Sequence, residues 1–397
     1  MSIKRRFIPD ARSVLGLLVP AALLLVMVSA GGRYAWGDNP APTKPELVSA
    51  FEVRYRLNVP GGGEIFPALT SIAPADYWPI ATLTMVNISS KPLVETVWAE
   101  VHNWSIKTAQ NINLAPNETR TIRINPELLP QAFENAEIRP ATLEVRATTL
   151  GTDLAYNETT RVYLHSASDF FWGDKFANAQ FIARWVTPHA PAVLQLISSA
   201  RNYVPRGRLA GYALPGGSGP AVAAQVKGEV RGVFEAMKHL HLTYVDSIYT
   251  YGSFASSAER VRLPRETLSL NGANCIDMSV AFASAMENLG MEPVIVLVPG
   301  HAFAGVRLAH GSSQILYLDL TVMPDGSFDA ALQRAQNWLQ KTPKTQVNLI
   351  DIATARSRRI YPMPEGVPQI IPQKVQSLPV PARTPALRIL QTISPAA

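Results

Sequence analysis

Cys275 is the only cysteine in a chain of 397 residues, and it stands in the stretch GANCIDMSV, which begins at Gly272. One thiol cannot form an internal disulfide, so it is inert, intermolecular or chemically useful. His301 follows in VPGHAF and Asp319 in YLDLTV. Cysteine, histidine and aspartate are the set a thiol nucleophile needs: the sulfur attacks, the imidazole moves the proton, and the carboxylate fixes the imidazole. Asn274 has the chemistry of an N-cap and Asp277 that of the acid in a capping box, which puts Cys275 at the first helical position. There the free amide hydrogens and the positive helix end favour a thiolate and can hold the oxyanion of a tetrahedral intermediate. Asp277 opposes a thiolate, so its charge is expected to point at the cap. Taken alone, a helical cysteine reads as a buried small hydrophobe; its company with His301 and Asp319 is what argues for a site.

These residues need elements to carry them. After Ser166 the pattern is helical: FANAQFIARWVTP, PAVLQLISSARNYV and AVAAQVKGEVRGVFEAMKHL space apolar residues three and four apart. CIDMSVAFASAMENLG reads as a helix closed by Gly290, and EPVIVLVPG, HAFAGVRL and SQILYLDLTV as three successive strands. His301 then opens one strand, Asp319 lies on its neighbour, and the preceding helix delivers the sulfur. The expected domain is α+β, a helix on an antiparallel sheet, over residues 166–360.

The preceding half is different. FEVRYRLNV alternates apolar and polar residues with the period of a half-buried strand, and similar runs recur at 80–88, 94–104, 119–124, 141–149 and 160–165 between turns such as PGGG and APNET. Short strands at this spacing predict an all-β, immunoglobulin-like sandwich over residues 50–165. Residues 1–30 have a basic head, an apolar run from Val14 to Val28 and small residues after it, the layout of a secretory signal with cleavage after Ala30. A signal anchor stays open, which leaves the chain either released into the periplasm or held at the inner membrane. Residues 31–49 read as a Pro-rich spacer and residues 361–397 as a Pro-rich extended tail.

The Cys, His and Asp motifs together resemble the transglutaminase-like superfamily, in its bacterial cysteine peptidase and amidase branch. The resemblance rests on Gly272 and Cys275, on HAF at His301 to Phe303, and on Asp319 with Thr321; Leu320 stands where proline is usual. VRLPRETL from Val261 resembles the lead-in of that branch, in which a glutamine just upstream helps form the oxyanion hole. Here that place holds Glu259. The resemblance centres on residues 225–325. It implies a papain-like α+β fold, a Cys275, His301 and Asp319 triad and an acyl-enzyme formed from an amide, with neither metal nor cofactor. Hydrolysis of a peptide or a peptidoglycan-like stem is the first expectation, transfer to an amine the second. The rival is a non-catalytic envelope protein that keeps the fold, and in either case the sandwich would be an accessory module contacting an envelope partner.

Other candidates read more plainly. His239 and His241 have no Cys or acidic partner at metal-site spacing, and His102, His165, His189 and His310 read as loop or strand residues. Trp172, Trp185 and Trp338 read as packing. Arg262 and Arg265 are weighed between a structural ion pair and a hold on a substrate carboxylate. The net charge of +6 owes three units to the first 30 residues. No basic cluster interleaved with aromatics remains, which argues against nucleic acid.

Overall fold

A computed structural model describes residues 48–50, 52–71, 78–151, 155–213, 219–245 and 258–364. The expected signal, most of the spacer and nearly all of the tail lie outside these residues. The chain is mixed α/β and divides into two compact units. Among the described residues, the first takes those within 48–65, 78–128 and 140–163, and the second those within 66–71, 129–139 and 164–364.

The first unit is built from β1 (Val48–Ala50), β2 (Val53–Asn58), β3 (Glu64–Ile65), β4 (Ala81–Asn87), β5 (Leu93–Val101), β6 (Thr108–Leu114), β7 (Thr119–Ile124), β8 (Arg139–Thr149) and β9 (Ala155–Leu164). They form two sheets, ordered β1-β2-β4-β7 and β3-β9-β8-β5-β6. Burial alternates residue by residue along β2, β4 and β5, so each sheet has one apolar face. The two faces meet: Tyr55 of β2 stacks on Tyr156 of β9, with centroids 4.7 Å apart, and donates its hydroxyl hydrogen to Glu95 of β5 at 2.7 Å. Thr149 donates to the other Glu95 oxygen at 2.5 Å, so this buried carboxylate is satisfied. β6 went unrecognised in the sequence because Ala109 to Asn113 hold no fully buried side chain and show no clean alternation.

The second unit begins with two short helices, α1 (Pro67–Thr70) and α2 (Pro130–Glu134). β10 (Asp169–Phe171) pairs with β12 (Ala258–Arg260), and β11 (Thr243–Tyr244) with β13 (Gly272–Ala273). The helices are α3 (Pro191–Ala200), α4 (Gly219–Lys238), α5 (Pro264–Leu270), α6 (Cys275–Asn288), α7 (Phe328–Lys341) and α8 (Ile352–Ser357). The segment FANAQFIARWVTP, expected as an α-helix, forms only 3-10 turns over Ala179–Arg184. From Ala179 to Val186 its apolar residues are all buried and do not leave one polar face, so tertiary packing overrides the periodicity.

β14 (Pro293–Val298), β15 (His301–Arg307), β16 (Ile315–Leu318) and β17 (Asn348–Asp351) make an antiparallel sheet ordered β16-β15-β14-β17. The sequence reading held three of these strands and missed β17 and α7. One face carries Ala304 and Val306 into a core with Met278, Phe282 and Met286 of α6 and Val230, Phe234 and Met237 of α4. The other face packs Val294, Val296, Val298 and Phe303 against Ala335 and Trp338 of α7. Helices cover both faces, which is why β14 is buried at every position. No helix among the described residues is long and apolar enough to cross a membrane.

Candidate active site

The sulfur is placed by the cap. Asn274 Oδ1 accepts from the Asp277 N–H at 2.9 Å, and Asp277 Oδ2 accepts from the Asn274 N–H at 3.1 Å. This reciprocal box fixes the helix start and leaves Cys275 as its first residue, half-buried and unpaired. Asp277 is turned away from solvent and also accepts from Arg262, from its N–H at 2.7 Å and its guanidinium at 2.9 Å. Burial raises the Asp277 pKa, and the bonds from Arg262 and Asn274 offset this only in part. Arg262 is therefore a structural partner, while Arg265 pairs with no carboxylate among the described residues.

The imidazole is placed by a hairpin. Pro299 and Gly300 join β14 to β15, Gly300 at φ 74°, so that Val298 and His301 are paired residues. Alternation along β15 then puts His301 on the same face as Phe303, the face that α7 covers. Asp319 lies just past the end of β16, as the cap of a 3-10 turn over Leu320–Val322, and not within the strand as the sequence suggested. Its Oδ1 accepts from the Thr321 N–H at 3.1 Å and the Thr321 hydroxyl at 2.7 Å. Capping the turn is what orients the carboxylate.

The three side chains converge. His301 Nε2 donates to Asp319 Oδ2 at 2.9 Å, and Cys275 lies close enough to the same imidazole to raise its pKa. With Nε2 committed to Asp319, Nδ1 is the nitrogen left for sulfur. Desolvation pulls the His301 pKa down, but its bond to Asp319 and the nearby Cys275 outweigh this and push it up to about 9. Burial would raise the Asp319 pKa, yet the bonds from His301 and Thr321 hold it below the usual carboxylate value. At neutral pH the arrangement is a buried carboxylate and a protonated imidazole beside the thiol.

Two residues of this site went unrecognised as such in the sequence. Trp338, read there as packing, stacks on His301 with centroids 4.8 Å apart and donates its indole hydrogen to Asp319 Oδ2 at 3.1 Å. Arg334, one turn earlier on α7, brings its Nε within 3.3 Å of the same oxygen. The spacing of Phe328, Ala331, Ala335 and Trp338 carries a helical signal, but nothing local says that its last member covers an imidazole.

Glu259 is an acceptor here: Trp172 Nε1 donates to Oε2 at 3.0 Å and Asn274 Nδ2 to Oε1 at 3.2 Å. It braces the cap residue beside the thiol. Trp185 is fully buried and donates to the Val261 carbonyl at 3.0 Å. His102 meets Glu144 at 2.8 Å, His310 meets Glu292 at 2.6 Å, and buried His165 lies 3.3 Å from Asp169. His239 and His241 stand 6.4 Å apart between ring centroids, and no group of three or more His, Cys, Asp or Glu suited to a metal gathers among the described residues. No known family model matches the chain, and no curated protein is similar to it in sequence.

Proposed function

We propose that the protein is a transglutaminase-like thiol enzyme that acts on amide bonds through an acyl-enzyme, with hydrolysis as the outcome. The observation that carries this reading is the line from a helix-start cysteine through His301 to the buried Asp319. In the reaction, Cys275 sulfur attacks the amide carbon and the new oxyanion faces the first-turn amides of α6. The tetrahedral intermediate collapses as His301 gives its proton to the leaving amine, and the C–N bond breaks. The neutral imidazole then takes a proton from water, which attacks the thioester and releases the acid together with the thiol. Asp319 holds the imidazole throughout and keeps its charge.

In this reading the second unit is the transglutaminase-like domain, and the first, an immunoglobulin-like module, serves as an accessory that contacts an envelope partner. The N-terminal segment exports the chain or anchors it at the inner membrane, and the substrate is a peptide or a peptidoglycan-like stem. The test is alkylation of the full chain with iodoacetamide from pH 5 to 10, alongside Cys275→Ala and His301→Gln. The expected result is a reaction at neutral pH at least about tenfold faster than that of a free thiol, lost in both variants. An ordinary thiol rate that His301→Gln does not change would sink the enzyme reading and favour a non-catalytic envelope protein. Trapping the thioester with hydroxylamine, and comparing water with a primary amine as acceptor, separates hydrolysis from transfer.

A further inference from the structure

The outward face of α7 carries an open groove of about 480 Å³, lined by Ala330, Gln333, Arg334, Asn337, Trp338 and Lys341. That size suits a small ligand or a few residues of peptide. The lining residues recur three and four apart, so one helix builds the whole stripe. They comprise an indole, two carboxamides and two cations, with no carboxylate. Trp338 joins the groove to the chemistry, because the same ring lies on His301.

The charge in this groove is available. Asp319 is fully buried and its oxygens are already taken by His301, Thr321 and Trp338, so it presents little field to a ligand. Arg334 meets Asp319 through Nε at 3.3 Å, its side chain is 55% exposed, and a guanidinium has four further donors. Lys341 is exposed and pairs with no carboxylate among the described residues. Gln333 Nε2 donates to Asn337 Oδ1 at 3.1 Å, which leaves the Asn337 amide hydrogens for an incoming oxygen. Arg334 and Lys341 are two helical turns apart, about 10 Å, which an extended peptide spans in roughly three residues.

We propose that this groove is a substrate subsite that selects peptides carrying carboxylates about three residues apart near the bond attacked. Arg334 and Lys341 hold the carboxylates and Trp338 supports the peptide beside His301. The inference rests on the acyl-transfer reading and narrows it to acidic peptides.

The experiment uses the full chain with Cys275→Ala, so that nothing is turned over. Two N-acetylated pentapeptide amides, identical except for three central glutamates or three glutamines, are titrated by calorimetry at low and high salt. The glutamate peptide is expected to bind at least about fivefold more tightly at low salt, with the difference shrinking at high salt. Adding Lys341→Glu, a change at an exposed position that circular dichroism can check for folding, should remove the preference. Equal binding of the two peptides, binding of neither, or a preference that survives Lys341→Glu overturns the proposal. The acyl-transfer reading is judged separately with the unmodified thiol: preferential binding of the glutamate peptide with neither cleavage nor an acyl group trapped by hydroxylamine would sink the enzyme and leave the subsite standing.

Discussion

Trp338 lies on His301 with 24° between the ring planes and bonds through its indole nitrogen to the carboxylate that holds that same imidazole. One side chain thus shields the His301 to Asp319 bond and stabilises its anionic end. The two roles are separable. Trp338→Phe keeps a ring over His301 and removes the hydrogen bond, whereas Trp338→Ala removes both. A hydrogen bond to a charged group contributes about 1.5–3 kcal/mol, and ring stacking about 0.5–1.5 kcal/mol. Cys275 alkylation at pH 7 is expected to slow by about tenfold in Trp338→Phe and further in Trp338→Ala. Unchanged rates in both variants would reduce Trp338 to packing.

The raised His301 pKa makes a stability statement. A folded value of about 9, above the ordinary 6.5, means that the imidazolium stabilises the fold. This contribution is whole below about pH 6.5 and is lost as the pH rises through about 9, on the order of 3 kcal/mol in all. Asp319, with its pKa depressed, contributes above the ordinary carboxylate range, and its share is lost as the pH falls through the depressed value. Urea midpoints of the wild type should therefore decline from pH 6.5 to 9.5 more steeply than those of Asp319→Asn. Parallel profiles would show that His301 carries no proton to lose in this window.

How much of this was legible in the sequence depends on how local each signal is. The Asn274 to Asp277 box spans one helical turn, so residue chemistry alone announces it, and Cys275 inherits its place from it. The Pro299 and Gly300 turn likewise announces that His301 opens a strand. The alternation in β2, β4 and β5 is a two-residue period that survives because each strand has one buried face. Long-range contacts leave no such trace. Trp338 reaches His301 only because β15 turns its odd residues toward α7, and β17 joins the sheet beside β14 after a long excursion through that helix. Asp319 shows the intermediate case: its residue type marked it, but the strand it follows ends at Leu318, four residues before the end of the apolar pattern at Val322.

Glu259 occupies a place where an amide would behave differently. Both of its described partners, Trp172 Nε1 and Asn274 Nδ2, are donors. Asn274 cannot turn over to help, because its Oδ1 caps the Asp277 N–H. In Glu259→Gln the new Nε2 group would face one of these donors, so the variant is expected to lose about 1 kcal/mol of stability. Glu259→Gln should also loosen Asn274 and slow alkylation of Cys275 beside it. Denaturant midpoints equal to wild type, with an unchanged alkylation rate, would show that Glu259 does not brace the cap.

Arg262 and Asp277 carry the last prediction. Asp277 has no exposed surface, and Arg262 gives it two hydrogen bonds and its positive charge. Arg262→Met removes the charge and the guanidinium bond while keeping most of the apolar stem, and it leaves a buried carboxylate held only by the cap and the residue 262 backbone N–H. Breaking a buried pair in this way costs about 3 kcal/mol at neutral pH. The Asp277 pKa is already raised by burial and will rise further without the guanidinium, so the variant can recover by taking up a proton. Because a raised folded pKa gives stability that is present at low pH and lost as the pH climbs through it, the deficit of Arg262→Met should be smallest near pH 4 and grow toward pH 7. The double variant Arg262→Met, Asp277→Asn removes the buried charge and should show no such pH dependence. A deficit in Arg262→Met that is equal at pH 4 and pH 7 would mean that Arg262 acts through packing, and that the negative charge of Asp277 is compensated by the helix start alone.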